Sequence, residues 1–293
     1  MSGLVIGLGT ASMLGRIGRR ESIGALESAY DLGIRYFDTA RSYGWGEAEA
    51  LVGSVLRHYP RDHYTLVSKV GLVPAKRSRL LSISKPIARA TIGLFQVAGP
   101  LVRRAASSAR FQPTRTYDVA TLRASLDSSL RALQTDYVDT LLLHNFVPGQ
   151  PLHDVIEWFA NEKRAGRIRR HGFSVEGDLV ESLEYLDSQR ALDDAVVQTP
   201  VTDQLLARSG RWQRVPLVAH SLFRYLGARP STTLAELLHA LTSLGTCEAA
   251  VASMCARAHQ VENLRALEMV SAMPAADRWS HRRSLADRSL IER

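Results

Sequence analysis

The chain has 293 residues, of which 45% are hydrophobic and 23% charged, with a formal net charge of +8. That composition builds a large core and excludes disordered and membrane-spanning classes, since no stretch reaches the roughly 20 apolar residues of a span. With no nucleic-acid recognition motif, the positive charge fits a soluble enzyme with anionic ligands better than a nucleic-acid partner. The two cysteines, Cys247 and Cys255, have neither disulfide-framework nor zinc-ligand spacing. The N-terminus lacks a basic leader, and the expected location is cytoplasmic.

Short apolar runs alternate with amphipathic segments from end to end. Leu4 to Gly7 reads as a first strand, and Arg20 to Leu32 as a helix with Ile23, Leu26 and Tyr30 on one face. Tyr36 to Asp38 is a second strand, Ala48 to Leu56 a second helix and Thr65 to Lys69 a third strand. After an interruption, Asp118 starts a helix whose Leu122, Leu126, Leu130 and Leu133 recur every three or four residues. Val138 to His144, Ile168 to Ser174, Val196 to Gln198, Leu217 to Ala219 and Ala249 to Ser253 complete eight strands. The helices between them are Asp154 to Ala165, Leu179 to Leu186 and Leu234 to Leu244, and Val261 to Val270 follows the last strand. Strand–helix alternation makes parallel sheet, and eight units close it into a (β/α)8 barrel, a TIM barrel of α/β class. One domain over residues 1–293 is expected, with a polar, basic, poorly packed tail at 274–293.

The interruption, residues 74–116, follows the third strand. From Val70 to Tyr117 there is no acidic residue, and Lys76, Arg77, Arg79, Lys85, Arg89, Arg103, Arg104, Arg110 and Arg115 fall there. Beside the bland reading of a surface loop stands that of a lid over the site, suited to an anionic substrate.

Barrel active sites form where strands end and lead into helices. Asp38, Lys69 and His144 end the second, third and fourth strands, and Tyr43 lies five residues past Asp38. A tyrosine hydroxyl can protonate a carbonyl oxygen that receives hydride on carbon. A lysine beside it favours the phenolate, an aspartate holds the lysine charged, and a histidine donates to the carbonyl oxygen. Singly, each has an ordinary structural reading; three successive strand ends together point to chemistry. Gly7-Leu8-Gly9-Thr10-Ala11-Ser12 nearly matches a dinucleotide fingerprint, but no helix is expected to open there. Histidine spacing implies no metal.

The segments Gly33 to Gly44, Val67 to Gly71, Asp136 to His144 and Gly166 to Ser174 resemble the aldo-keto reductase superfamily, over roughly Gly7 to Leu267 outside the insertion. The resemblance implies the same barrel, NADPH as the cofactor with NADH as the alternative, and a small carbonyl or alcohol substrate. It makes Tyr43 the proton donor, assisted by Asp38, Lys69 and His144. It places Ser174 and Gln198 at the nicotinamide carboxamide, Ser221 near the phosphates, and Glu262 and Asn263 on the adenine side. Val175 departs from the family's usual Asn. His220 stands where an aromatic commonly stacks on nicotinamide, and Arg257 or His259 is left to supply charge for a 2′-phosphate. A reductase or alcohol dehydrogenase is expected; the alternative is a cofactor-sensing regulatory protein on the same barrel.

Overall fold

The computed structural model of the chain describes residues 3–73, 114–207 and 210–272. The barrel strands are β1 (Val5–Gly9), β2 (Tyr36–Asp38), β3 (Thr65–Val70), β6 (Val138–Phe146), β7 (Ile168–Val175), β8 (Val196–Pro200), β9 (Leu217–His220) and β10 (Cys247–Ala252). They close in chain order, and β1 pairs with both β2 and β10, all in parallel. The expected (β/α)8 fold is therefore present. A two-stranded antiparallel ribbon, β4 (Leu72–Val73) with β5 (Thr114–Arg115), stands where the insertion leaves β3 and returns. The insertion between these strands, read as a lid, and the basic tail lie outside the described residues.

The helices are α1 (Arg19–Asp31), α2 (Ala48–Leu56), α3 (Val119–Leu133), α4 (His153–Arg164), α5 (Leu179–Ser188), α6 (Asp203–Leu206), α7 (Leu222–Gly227), α8 (Leu234–Ser243) and α9 (Arg257–Ser271). Four of the nine described helices, α3, α5, α6 and α8, start at a side-chain cap. Asp118 accepts from Thr121 N at 2.8 Å, and Asp178 from Glu181 N at 2.9 Å. Thr233 and Glu236 form a reciprocal capping box. Gly166, at φ +71°, ends α4 in the left-handed conformation that residues with a side chain rarely adopt. The short α6 and α7 have too few turns for a periodic signal, and periodicity missed them. The last helix starts four residues earlier than its apolar spacing suggests, because its first turn is polar.

Two apolar layers follow from the two-residue period of the strands. Outward side chains such as Phe37, Leu66, Leu141, Phe173 and Val197 are buried against the helices. Inward side chains form a smaller plug of Val67, Leu142, Val196, Val218, Ala249 and Val251, with Tyr36 against it. The plug matters for function, because the next inward residue on each strand sits one layer higher, at the barrel mouth. Tyr36 is followed by Asp38, Val67 by Lys69, Leu142 by His144, Val196 by Gln198 and Val218 by His220. Sequence spacing thus converts an apolar layer into a polar one two residues later.

Candidate active site

Asp38 and Lys69 are both buried and joined at the mouth. Lys69 Nζ donates to Asp38 Oδ1 at 2.5 Å and to the Thr39 carbonyl at 3.1 Å. The other carboxylate oxygen accepts from Gln198 Nε2 at 2.7 Å. An ion pair this dry holds only when the remaining valences are filled, as they are here. Burial depresses the Lys69 ammonium, but Asp38 and Tyr43 outweigh it and hold the pKa above its ordinary 10.5.

Tyr43 is not on a strand. It opens a 3-10 turn, Tyr43–Gly46, that is tied down on both sides. Tyr43 N donates to Ala40 O at 3.0 Å, and Thr39 N to Val67 O at 2.9 Å. Arg41 reaches the Gly46 carbonyl at 3.1 Å and lies 3.5 Å from the Glu49 carboxylate. Glu49 is buried at the start of α2 and also accepts from Ser68 Oγ at 2.6 Å. The turn is thus braced against α2 and β3. The Tyr43 ring lies with Lys69 Nζ 5.1 Å from its centroid and His144 edge-on at 5.7 Å and 82°. Burial pushes the phenol up and Lys69 pulls it down; the net shift is upward, so the hydroxyl keeps its proton at neutral pH.

His144 reaches this position through an irregularity. The β6–β7 register shifts between Leu143 and Phe146, and Asn145 adopts φ +51°. Such bulges re-aim side chains at barrel rims. The strand extends past His144, where the sequence suggested its end. Ser42 Oγ lies 3.4 Å from His144 Nδ1. Burial, then Lys69 and His220, push the His144 pKa down to about 3, so the ring is neutral at physiological pH.

That depression has a stability consequence. Between about pH 6.5 and 3 the unfolded chain binds a proton at this position that the folded chain refuses. Stability from this group is therefore complete above pH 6.5 and is lost as pH falls, at about 1.4 kcal/mol per pH unit. His171, stacked on Phe159 and pushed down to about 4 by burial, acts in the same direction. In urea unfolding at pH 7 and pH 5, wild type should lose about 2 kcal/mol more than His144→Gln between the two conditions. Equal losses would contradict a neutral buried ring.

A cavity of about 580 Å³ opens beside this cluster, lined in part by Asp38, Tyr43, Ser174, Gln198, His220 and Ser221. Four of the seven residues expected to hold a cofactor therefore share one cavity with Tyr43. Lys69 and His144 lie against Tyr43 rather than on the cavity wall. Arg257, Glu262 and Asn263 are not in the cavity. They sit on α9, where Arg257 donates to Ser28 Oγ at 3.0 Å, Glu262 is exposed and Asn263 is buried.

Several cavity residues escaped the sequence reading. Gly9, Ala11 and Ser12 belong to the near-fingerprint that spans the end of β1, which opens no helix yet lines the wall. Arg16 and Arg224 add two cations. Glu176 lies two residues beyond Ser174, so the strand period was the signal that could have found it. Its carboxylate is 3.2 Å from His220 Nε2, and His220 Nδ1 is 2.9 Å from Ser221 Oγ. Among the described residues no group of acidic, histidine and cysteine side chains could hold a metal ion. Nor is any described helix long and apolar enough to cross a membrane.

Comparison with known proteins bears on this arrangement. Residues 5–209 match the model of the family described as Aldo/keto reductase family. Aldo-keto reductase YhdN of Bacillus subtilis is 30% identical over 192 residues, 64% of this chain and 46% of its own. Pyridoxal 4-dehydrogenase of Microbacterium luteolum is 31% identical over 145 residues, 48% of this chain and 39% of its own. The matched part thus spans half or less of these relatives' length. Among solved structures, the holo form of an aldo-keto reductase from Bacillus halodurans superposes with a TM-score of 0.69 at 20% identity, covering 96% of this chain and 91% of that one. An aldo-keto reductase from Klebsiella pneumoniae in complex with NADPH gives 0.65 at 22% identity, covering 97% and 95%.

Proposed function

The chain belongs to the aldo/keto reductase family, and from that premise we propose that it is an NAD(P)H-dependent oxidoreductase interconverting a carbonyl and an alcohol at Tyr43. The observation that carries this is the buried Asp38–Lys69 pair, with its ammonium directed at the Tyr43 ring beside a neutral His144. The residues present suit a dinucleotide. Ser174 and Gln198 offer amide-binding groups near Tyr43, and Arg16 and Arg224 offer cations further along the same cavity. Arg257, Glu262 and Asn263 would then contact the far, adenine end along α9. When bound, the nicotinamide supplies or accepts the hydride.

The chain's own part is proton handling and placement. Tyr43 gives its hydroxyl proton to the carbonyl oxygen as that oxygen gains charge. Lys69 stabilises the phenolate left behind, and Asp38 keeps Lys69 charged and aimed. Neutral His144 donates an N–H to the same oxygen and orients the carbonyl. In the oxidising direction the phenolate takes the alcohol proton by the same path. The substrate is a small carbonyl or alcohol. An anionic one suits the arginines on the cavity wall.

Arg257, at the start of α9 on the adenine side, favours NADPH, whose additional phosphate sits on the adenine ribose, over NADH. Titrating each cofactor against the protein's tryptophan fluorescence tests the reading. NADPH should bind at least tenfold more tightly, about 1.4 kcal/mol. Binding of neither cofactor would overturn the redox assignment.

A further inference from the structure

Glu176 has no part in the proton transfer described above, yet its carboxylate stands on the wall of the same cavity. Ser174 and Glu176 are two residues apart at the end of β7, so both side chains face the barrel mouth, with Val175 buried behind them. Across the end of β8, His220 is paired in register with Pro200. It is gripped from both sides, by Glu176 on Nε2 at 3.2 Å and by the Ser221 hydroxyl on Nδ1 at 2.9 Å. Arg224 donates to that hydroxyl at 3.2 Å. The chain Glu176–His220–Ser221–Arg224 thus fixes one carboxylate against the cavity. Its charge reaches the reaction centre, since it opposes ionisation of Tyr43, and Lys69 and Arg224 in turn favour its own.

Tyr43, Ser174 and Gln198 mark the end of the cavity where hydride must be exchanged. A nicotinamide there is cationic when oxidised and neutral when reduced. We infer that Glu176, held by His220, is a specificity-determining residue that makes this cavity bind the oxidised cofactor in preference to the reduced one. The inference rests on the cofactor reading given above. The groups facing Glu176 are His220, Arg224 and, further off, Lys69, so its charge is partly offset. In consequence the bound cofactor couple becomes more reducing than the free one.

The test is the ratio of Kd for NADPH to Kd for NADP+, measured by calorimetry on wild type, Glu176→Gln and Glu176→Ala. Glutamine keeps the size of the side chain and a hydrogen bond to His220 but removes the charge. That ratio should fall about fivefold in both variants, the scale of one partly offset unit charge. Equal weakening of both cofactors would show that Glu176 only positions His220, and an unchanged ratio would show no charge effect; either overturns the inference. If wild type binds neither form, the cofactor reading itself fails and takes the inference with it, which distinguishes the two failures.

Discussion

Tyr43→Phe is expected to lower kcat by about 10²- to 10⁴-fold, the scale of a lost general acid, with NADPH binding unchanged. The substitution removes the phenol oxygen on which Lys69 acts and keeps the ring. Phenylalanine keeps the edge-on contact with His144 and the ring that Lys69 approaches at 5.1 Å. The turn that places residue 43 is held by its own backbone, by Arg41 and by Glu49, none of which contacts the phenol oxygen. What disappears is the hydroxyl proton that the tyrosine carries at neutral pH. Steady-state turnover of a small aldehyde, with a parallel NADPH titration, separates the cases. Retained kcat would move the proton donor elsewhere in the cavity. Joint loss of turnover and cofactor binding would mean that Tyr43 is structural.

Lys69→Met carries the largest combined effect. Lys69 is 2% exposed and Asp38 4%, so removing the ammonium leaves a carboxylate in a dry site with Gln198 as its remaining side-chain donor. Breaking a buried pair from one side costs about 3–5 kcal/mol. Adding Asp38→Asn to Lys69→Met should return most of that loss, because the Gln198 amide can still donate to the asparagine oxygen and no charge remains buried. The two changes are therefore strongly non-additive in urea unfolding. Turnover should stay low in both proteins, since neither can stabilise the Tyr43 phenolate. Removing Lys69 also takes away the charge that pulls the tyrosine pKa down, so the rising limb of alcohol oxidation by residual activity, which needs the phenolate, should move to higher pH. A Lys69→Met protein as stable as wild type would contradict the buried-pair geometry.

Much of the barrel was legible because strands and helices obey different periods. Tyr36 to Asp38 and Ala48 to Leu56 emerge with the same bounds in sequence and structure, since each is a short apolar repeat between polar breaks. The other strands run one to two residues further at their mouth ends, except the last, which sits closer to its N-terminal side. Those extensions, Leu8-Gly9, Val70, Asn145-Phe146, Val175, Thr199-Pro200 and His220, mix apolar and polar residues. Hydrogen bonding to the neighbouring strand, not composition, makes them part of the sheet. The short α6 and α7 and the ribbon at the base of the insertion lack the length for any period to appear.

The site divides along the same line. Asp38, Lys69 and His144 could be picked out as polar residues ending apolar strands, because the two-residue period places them one layer above the inward plug. That is local information, and the sequence alone determined it, together with the eight-unit rhythm that implies closure. Tertiary structure decided what depends on distant segments meeting. It set Gln198 on the free oxygen of Asp38 and brought Tyr43 to Lys69 through a turn braced by Arg41 and Glu49. It turned His144 inward through the bulge at Asn145. It also paired Glu176 with His220 from two strands away, and kept Arg257, Glu262 and Asn263 out of the cavity that holds Tyr43. Each is a contact across many residues of chain, and its geometry follows from barrel closure, which aligns strand ends that no local pattern relates.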